Sequence, residues 1–250
     1  MSLIELKKVC KRLGGLEVLD NLDLTIEHGE TLVIMGRSGA GKSVILKHII
    51  GLMKPDSGAV VFDGVRLDTL PRIDLNEVRK RFGMLFQGSA LFDSLSVGGN
   101  VCAALRRHKK LPPGEIRRIV SDKLRAVGLS GIEDKMPDEL SGGMKKRVGL
   151  ARAIAMDPEV VLYDEPTTGL DPITADQIND MILDTRRQFG VTSVVVTHDV
   201  TSALRVGTHI CLLVGGRIIF SGPPEEVKAS DNPYLRQFIE ARSEGPITGV

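Results

Sequence analysis

Residues 31–50 read TLVIMGRSGAGKSVILKHII, and this stretch decides the fold. Thr31 to Met35 form a short apolar run closed by glycine, the pattern of a buried strand. SVILKHIIG, beginning at Ser43, has the character of a helix. Between them, Gly36-Arg37-Ser38-Gly39-Ala40-Gly41-Lys42-Ser43 fits G-x-x-x-x-G-K-S/T. Glycines let backbone N–H groups turn inward on phosphate oxygens, and side chains would fill that concavity. The helix that follows presents its positive end to the same anion. Lys42 is the candidate for the β- and γ-phosphates and Ser43 for Mg²⁺.

Working outward, 160–163 (VVLY), 194–196 (VVV) and 210–214 (ICLLV) are further buried-strand candidates. They alternate with longer helical patterns, which predicts an α/β protein with a largely parallel sheet. In 55–67, turn signals at Pro55-Asp56-Ser57-Gly58 and Asp63-Gly64 enclose a β-rich stretch. It is expected to be an antiparallel hairpin attached to the main sheet. Residues 97–155 read as a helical insertion, broken at Leu111-Pro112-Pro113-Gly114.

Several residues join the phosphate cradle as candidates. Asp164 and Glu165 follow VVLY, where a strand's C-terminal end faces the ligand crevice of an α/β sheet. Asp164 is the candidate to hold Mg²⁺ and Glu165 to polarise an attacking water. His198, after SVVVT, is a candidate for placing that water, or an ordinary hydrogen-bonded histidine. Gln87, after MLF, is a candidate for the metal or the water, or an unremarkable polar residue. Leu140-Ser141-Gly142-Gly143-Met144 opens a helix whose apolar positions include Met144, Val148, Ala151 and Ala155. Ser141, Gly142 and Gly143 read as a second anion-binding helix start, completing another copy's nucleotide site, or as a plain N-cap.

Composition limits the function. The chain has 250 residues, with 33 Lys and Arg against 32 Asp and Glu, so a strongly basic DNA-coating surface is not expected. Tyr163 and Tyr234 are its two tyrosines and Trp is absent, leaving little for base stacking; no nucleic-acid partner is expected. Cys10, Cys102 and Cys211 are widely spaced and odd in number, which predicts reduced thiols. Neither a signal-peptide pattern nor a run of about 18 apolar residues occurs, so the expectation is a soluble, intracellular chain.

These pieces, in this order, resemble the ATP-binding cassette (ABC) ATPases over residues 1 to about 225. GRSGAGKS is similar to their Walker A, Gln87 to the Q-loop residue, LSGGM to the signature, and VVLYDE to Walker B with the catalytic glutamate. TTGLDP (167–172) resembles the D-loop, with Asp171 at its acidic position, and His198 the switch histidine. The resemblance implies a P-loop NTPase core with an N-terminal antiparallel β subdomain and the inserted helical subdomain. It also implies a head-to-tail dimer that sandwiches two ATP molecules with Mg²⁺. Where many relatives stack adenine on an aromatic ring, this chain has Leu13; where Gln is common in the signature, it has Met144.

LFQGSALFDSLSVGGNV (85–101), DPIT (171–174) and NPYLRQFIEARSEGPI are similar to the ATPase of Mla/Mce-type phospholipid transporters. That branch implies separate membrane permease subunits, STAS-domain and MCE-type lipid-binding partners, and a peripheral site on the cytoplasmic face of the inner membrane. Phe86, Leu91 and Phe92 are candidates for the groove that receives the permease, or for core packing. The ATPase of a polar-solute importer and a non-transport soluble ABC ATPase are the alternatives. In the tail, residues 226–250, Leu235, Phe238 and Ile239 share a helix face. Gly245-Pro246-Ile247 either packs at home or reaches a partner ATPase. Arg106-Arg107-His108-Lys109-Lys110 reads as a solvated loop or a contact for anionic headgroups.

Overall fold

A computed structural model describes residues 2–247. Thr248, Gly249 and Val250, the end of the tail segment, lie outside the described residues. The chain divides into two compact units, Met1–Arg79 with Val194–Val250, and Lys80–Ser193.

In the first unit, β1 (Ser2–Leu13) pairs antiparallel with β2 (Leu16–Glu27) and with β4 (Ser57–Phe62), and β4 with β5 (Val65–Arg66). The resulting four-stranded sheet has the order β2-β1-β4-β5. The expected hairpin at 55–67 therefore exists, but it belongs to this separate antiparallel sheet. Its turn signals specify a reversal and carry no information about which strand it joins. β1 supplies that partner: Leu3, Ile4, Leu6 and Val9 are buried, and Ile4 pairs with Phe62.

The second sheet runs β10-β9-β3-β8-β7-β6. Its members are β3 (Thr31–Met35), β6 (Phe82–Leu85), β7 (Val160–Asp164), β8 (Thr192–Thr197), β9 (His209–Val214) and β10 (Arg217–Gly222). β3 runs parallel to β9 and β6 parallel to β7, while β10 closes the edge antiparallel to β9. Every residue of β3 and β8 is buried, as strands covered on both faces are. The α/β expectation is met: the strand candidate 31–35 appears with its bounds unchanged, and 160–163, 194–196 and 210–214 appear with an end moved by one or two residues.

The first unit also holds α1 (Lys42–Ile49), α2 (Arg72–Arg79), α7 (Val200–Val206), α8 (Pro224–Ala229) and α9 (Pro233–Ile239). In α1, His48 is fully buried with Nδ1 2.7 Å from the Val44 carbonyl. Burial is the main influence on its pKa and lowers it, with Lys11 adding to the effect and Asp56 opposing it. The unfolded chain thus binds the proton more readily, and stability from this residue is lost as pH falls below about 6.5. Thermal melts should show a smaller acid-side loss in His48→Gln than in the parent; parallel profiles would contradict this.

In α9, Leu235 is buried and Phe238 and Ile239 are half-buried. The chain then turns back: Ile247 N donates to Gln237 Oε1 at 2.7 Å, and Gln237 Nε2 donates to Ile247 O at 3.2 Å. Through Ile247 the tail is tied to its own helix.

The second unit contains α3 (Val97–His108), α4 (Pro113–Ala126), α5 (Gly142–Ala153) and α6 (Pro172–Phe189). The helical stretch 97–155 lies within this unit. Ser96 caps α3 by accepting from Gly99 N, and Pro113 opens α4 where no N–H is needed. Arg106, Arg107 and His108 form the last turn of α3, where positive charge suits the helix dipole, so the basic run is only partly loop. All three cysteines are free thiols. No helix among the described residues is long and apolar enough to cross a membrane.

Candidate functional site

The phosphate cradle lies in the first unit, between β3 and α1. Gly39 and Gly41 adopt φ of 81° and 102°, which side chains with a Cβ rarely tolerate. A Cβ on Gly36 would stand 2.8 Å from the Leu213 carbonyl oxygen, so the loop can run close to β9 only with glycine there. Gly41 is the N-cap of α1 and no side chain caps that helix, which leaves its positive end for an external anion. Lys42 is 5% exposed, with Nζ donating to Gly36 O at 2.7 Å and Arg37 O at 3.0 Å. The ammonium is thereby held over the loop. Ser43 is half-buried in the first turn, while Arg37, Ser38 and Gly39 are exposed and Ala40 is half-buried.

Two other candidates share this unit. His198 is exposed just after β8, and Asp199 behind it caps α7 by accepting from Thr201 N and Ser202 Oγ. Leu13 ends β1, 38% exposed, and pairs across the Gly14-Gly15 turn with Leu16, 74% exposed. The sequence reading missed Leu16; an apolar residue beside a glycine turn carries no signal of exposure. A nucleobase packed on these two leucines would meet apolar surface without a π face. GTP is expected to compete with ATP at comparable affinity, and Leu13→Tyr to tighten both by about 1–3 kcal/mol through stacking. Competition titrations check this; poor competition by GTP would contradict it.

In the second unit, β6 and β7 run parallel with Leu85 opposite Tyr163. Gln87 and Glu165 each follow two residues later, so this register brings their backbones to the same level. Lys146 of α5 joins them, with Nζ donating to Gln87 O and, at 3.4 Å, to Glu165 O. Lys146 is 5% exposed. Burial lowers its pKa, against the pull of the Asp164 and Glu165 carboxylates. Arg152, six residues further along α5, donates to Ser89 O at 2.7 Å and Ala90 O at 2.6 Å. One helix thus fixes the loop after β6 at three carbonyls while the Gln87 side chain stays exposed.

Asp164 is the last residue of β7 and half-buried. Glu165 is buried and holds φ at 48°, a conformation that costs a residue with a side chain on the order of 1–3 kcal/mol. Its Oε2 accepts from Thr168 Oγ1 at 3.1 Å, which fixes the carboxylate. Sequence reading found Asp164 and Glu165 but missed Lys146, Arg152 and Thr168. Lys145 and Lys146 are adjacent identical side chains, and only the packing of α5 separates a half-buried one from a buried one.

Ser141, Gly142 and Gly143 sit at the start of α5. Ser141 Oγ accepts from Met144 N at 3.3 Å, so the N-cap reading is realised. A Cβ on Gly143 would stand 2.8 Å from Thr174 Cγ2. That close approach sets the helix start against Asp171, which caps α6 by accepting from Ile173 N and Thr174 N, each at 3.0 Å. The Thr174 hydroxyl, then the backbone donors, hold the Asp171 carboxyl below its usual range. Ser141, Gly142, Gly143 and Asp171 line one open cleft of about 450 Å³ with Gly169 and Leu170.

Residues 19–168, from within β2 to just beyond the strand that carries Asp164, match the family described as ABC transporter. The chain belongs to that family. As an ABC cassette it is a nucleotide-binding chain. It is 42% identical over 244 residues to the "Probable ribonucleotide transport ATP-binding protein mkl" of Mycobacterium leprae, covering 98% of this chain and 70% of that one. It is also 42% identical over 246 residues to the "Intermembrane phospholipid transport system ATP-binding protein MlaF" of Haemophilus influenzae, covering 98% and 93%. The dimeric, ADP- and Pi-bound ATP-binding cassette MJ0796 superimposes with a TM-score of 0.81 at 33% identity, over 88% of this chain and 98% of that one. The cassette assignment agrees with the sequence resemblance.

Proposed function

We propose that this ABC cassette hydrolyses ATP as the cytoplasmic, peripheral motor of a phospholipid transporter, working through separate membrane permease subunits. Near-full-length similarity to MlaF, 98% of this chain and 93% of that protein, carries the proposal. The similarity includes the stretch after Gln87 and the tail, which lie outside the shared nucleotide machinery. A second reading, transport of a ribonucleotide, is favoured by the equal identity to mkl, but there only 70% of the relative is covered.

Gly36 to Ser43 bind the phosphates through backbone N–H groups and Lys42. Glu165 takes the proton of the attacking water, with His198 and Gln87 orienting it. Ser141, Gly142, Gly143 and Asp171 serve the nucleotide of a second copy in a head-to-tail dimer, as a family trait and in keeping with the dimeric MJ0796 cassette. Ser43, Asp164 and Gln87 are the residues for Mg²⁺, which when bound neutralises charge building on the phosphates. That donor set fits: a hydroxyl, a carboxylate and an amide carbonyl are hard oxygen donors, and Mg²⁺ held through substrate phosphates needs few protein ligands.

STAS-domain and MCE-type proteins complete the proposed assembly. Affinity purification from native membranes tests it. Recovery of a permease with an MCE-type lipid-binding protein is expected; recovery of a permease with a polar-solute-binding protein would overturn the lipid reading.

A further inference from the structure

Arg106-Arg107-His108-Lys109-Lys110 closes α3 and enters the loop after it, and Arg117 and Arg118 lie in the second turn of α4. Residues 106–118 hold six Lys and Arg against one acid, Glu115, a net of +5. The whole chain carries +1, so its other residues sum to −4. A nearly neutral chain has gathered its positive charge at one end of a helix pair.

The fold joins the two halves of this run. Arg106 and Arg117 line one cleft, so the end of α3 and the start of α4 stand side by side. Lys109 N donates to Leu105 O at 2.8 Å, which holds the loop to α3. Arg106, Arg107, His108, Lys110, Arg117 and Arg118 are exposed. None of the seven basic side chains has an ion-pair or hydrogen-bond partner among the described residues. Exposed arginines on neighbouring helices do, as Arg125 pairs with Asp122 and Arg187 with Asp184. Glu133 and Asp134 line the same cleft beside Gly98, whose N–H donates to Glu133 O. Gly98 stands eight residues before Arg106 on α3, about 12 Å away.

The helix dipole accounts for part of the pattern only. Arg106, Arg107 and His108 suit the negative end of α3, and Glu115 the positive end of α4. Lys109 and Lys110 lie beyond α3, and Arg117 and Arg118 sit in the half of α4 nearer its positive end, where more positive charge gains nothing. Crowded like charges repel, and an anionic counter-surface relieves that cost.

We infer that this patch docks on an anionic phospholipid bilayer. The cations span a helix end, a loop and a helix turn, and no partner fixes their geometry. Mobile lipid phosphates adapt to such a diffuse array, whereas the fixed carboxylates of a folded protein are read best by held, bidentate arginines. Leu111 and Ile116 are half-buried, so the contact is electrostatic and reversible by salt. The inference rests on the proposed peripheral site at a membrane and does not depend on the permease.

Flotation of the chain with vesicles of phosphatidylcholine and phosphatidylglycerol tests it, against phosphatidylcholine alone. Binding to the mixed vesicles is expected at about 0.1 M salt and release at about 1 M, where the Debye length is about 3 Å. Each cation near an anionic surface strengthens binding about fivefold, so Arg107→Gln with Lys110→Gln should lower partitioning about 25-fold. Arg107→Lys with Arg118→Lys should bind like the parent, since a bilayer reads charge and not the guanidinium fork. Arg125→Gln with Arg187→Gln removes as much charge elsewhere in the unit and should also float like the parent. The basal ATPase of the isolated chain should stay unchanged in all three variants. Equal losses in the two Gln pairs, or a parent that floats no better with phosphatidylglycerol, would overturn the lipid contact. Unchanged flotation of Arg107→Gln with Lys110→Gln, with loss of a co-purifying protein, would overturn it in favour of an acidic protein partner. A chain that floats as expected but captures no permease would overturn the proposed function and leave the lipid contact standing.

Discussion

Glu165→Gln is expected to lower steady-state ATP hydrolysis by about 10²–10⁴-fold, the usual contribution of a positioned general base, while leaving ATP binding intact. Glu165 is buried, held at φ 48° and hydrogen-bonded through Oε2 to Thr168. Glutamine fills the same volume and still accepts from the Thr168 hydroxyl, so the loop geometry survives. Only the proton acceptor is lost. With hydrolysis blocked, ATP should accumulate in closed dimers, visible as ATP-dependent dimer on size-exclusion chromatography. Lys42→Ala makes the contrast, since it removes the ammonium held over the cradle and should weaken nucleotide binding itself. Turnover at the parent rate in Glu165→Gln would move the water-activating role to another residue.

Lys146→Met is expected to slow turnover by a different route and to a smaller extent. The Lys146 ammonium is buried and joins the backbone carbonyls of Gln87 and Glu165. Methionine has a similar length and no donor, so both carbonyls lose this charge-assisted bond in a site with little water. Loss of such bonds costs on the order of 2–4 kcal/mol. The loop after β6 would loosen beside the proposed water-activating residue. Turnover should fall by about tenfold or more, while ATP affinity at Gly36–Ser43 is kept. Urea melts with nucleotide titration and ATPase rates separate these effects. A variant with parent stability and parent turnover would show that the lysine positions nothing.

The contrast between Lys42 and Lys146 shows what was legible in the sequence. Lys42 is found because phosphate chemistry fixes its neighbours: glycines at 36, 39 and 41 and a hydroxyl at 43 leave few alternatives. Asp164 and Glu165 are found because a buried strand leads directly into them. Lys146 stands in no local pattern. Its role depends on the register of β6 with β7 and on which side of α5 faces them, and these are long-range facts. The hairpin at 55–67 failed in the same way: turn residues set its reversal, but only pairing with β1 places it in the antiparallel sheet.

The central claim is that ATP hydrolysis by this chain drives phospholipid movement through a separate permease. Its most direct test is phospholipid transfer in proteoliposomes containing the chain and its co-purified permease, with ATP and either the parent or Glu165→Gln. The account predicts ATP-dependent transfer of labelled phospholipid in the parent and none in the variant. Active hydrolysis without lipid transfer, accompanied by ATP-driven uptake of a ribonucleotide or another polar solute, would contradict it.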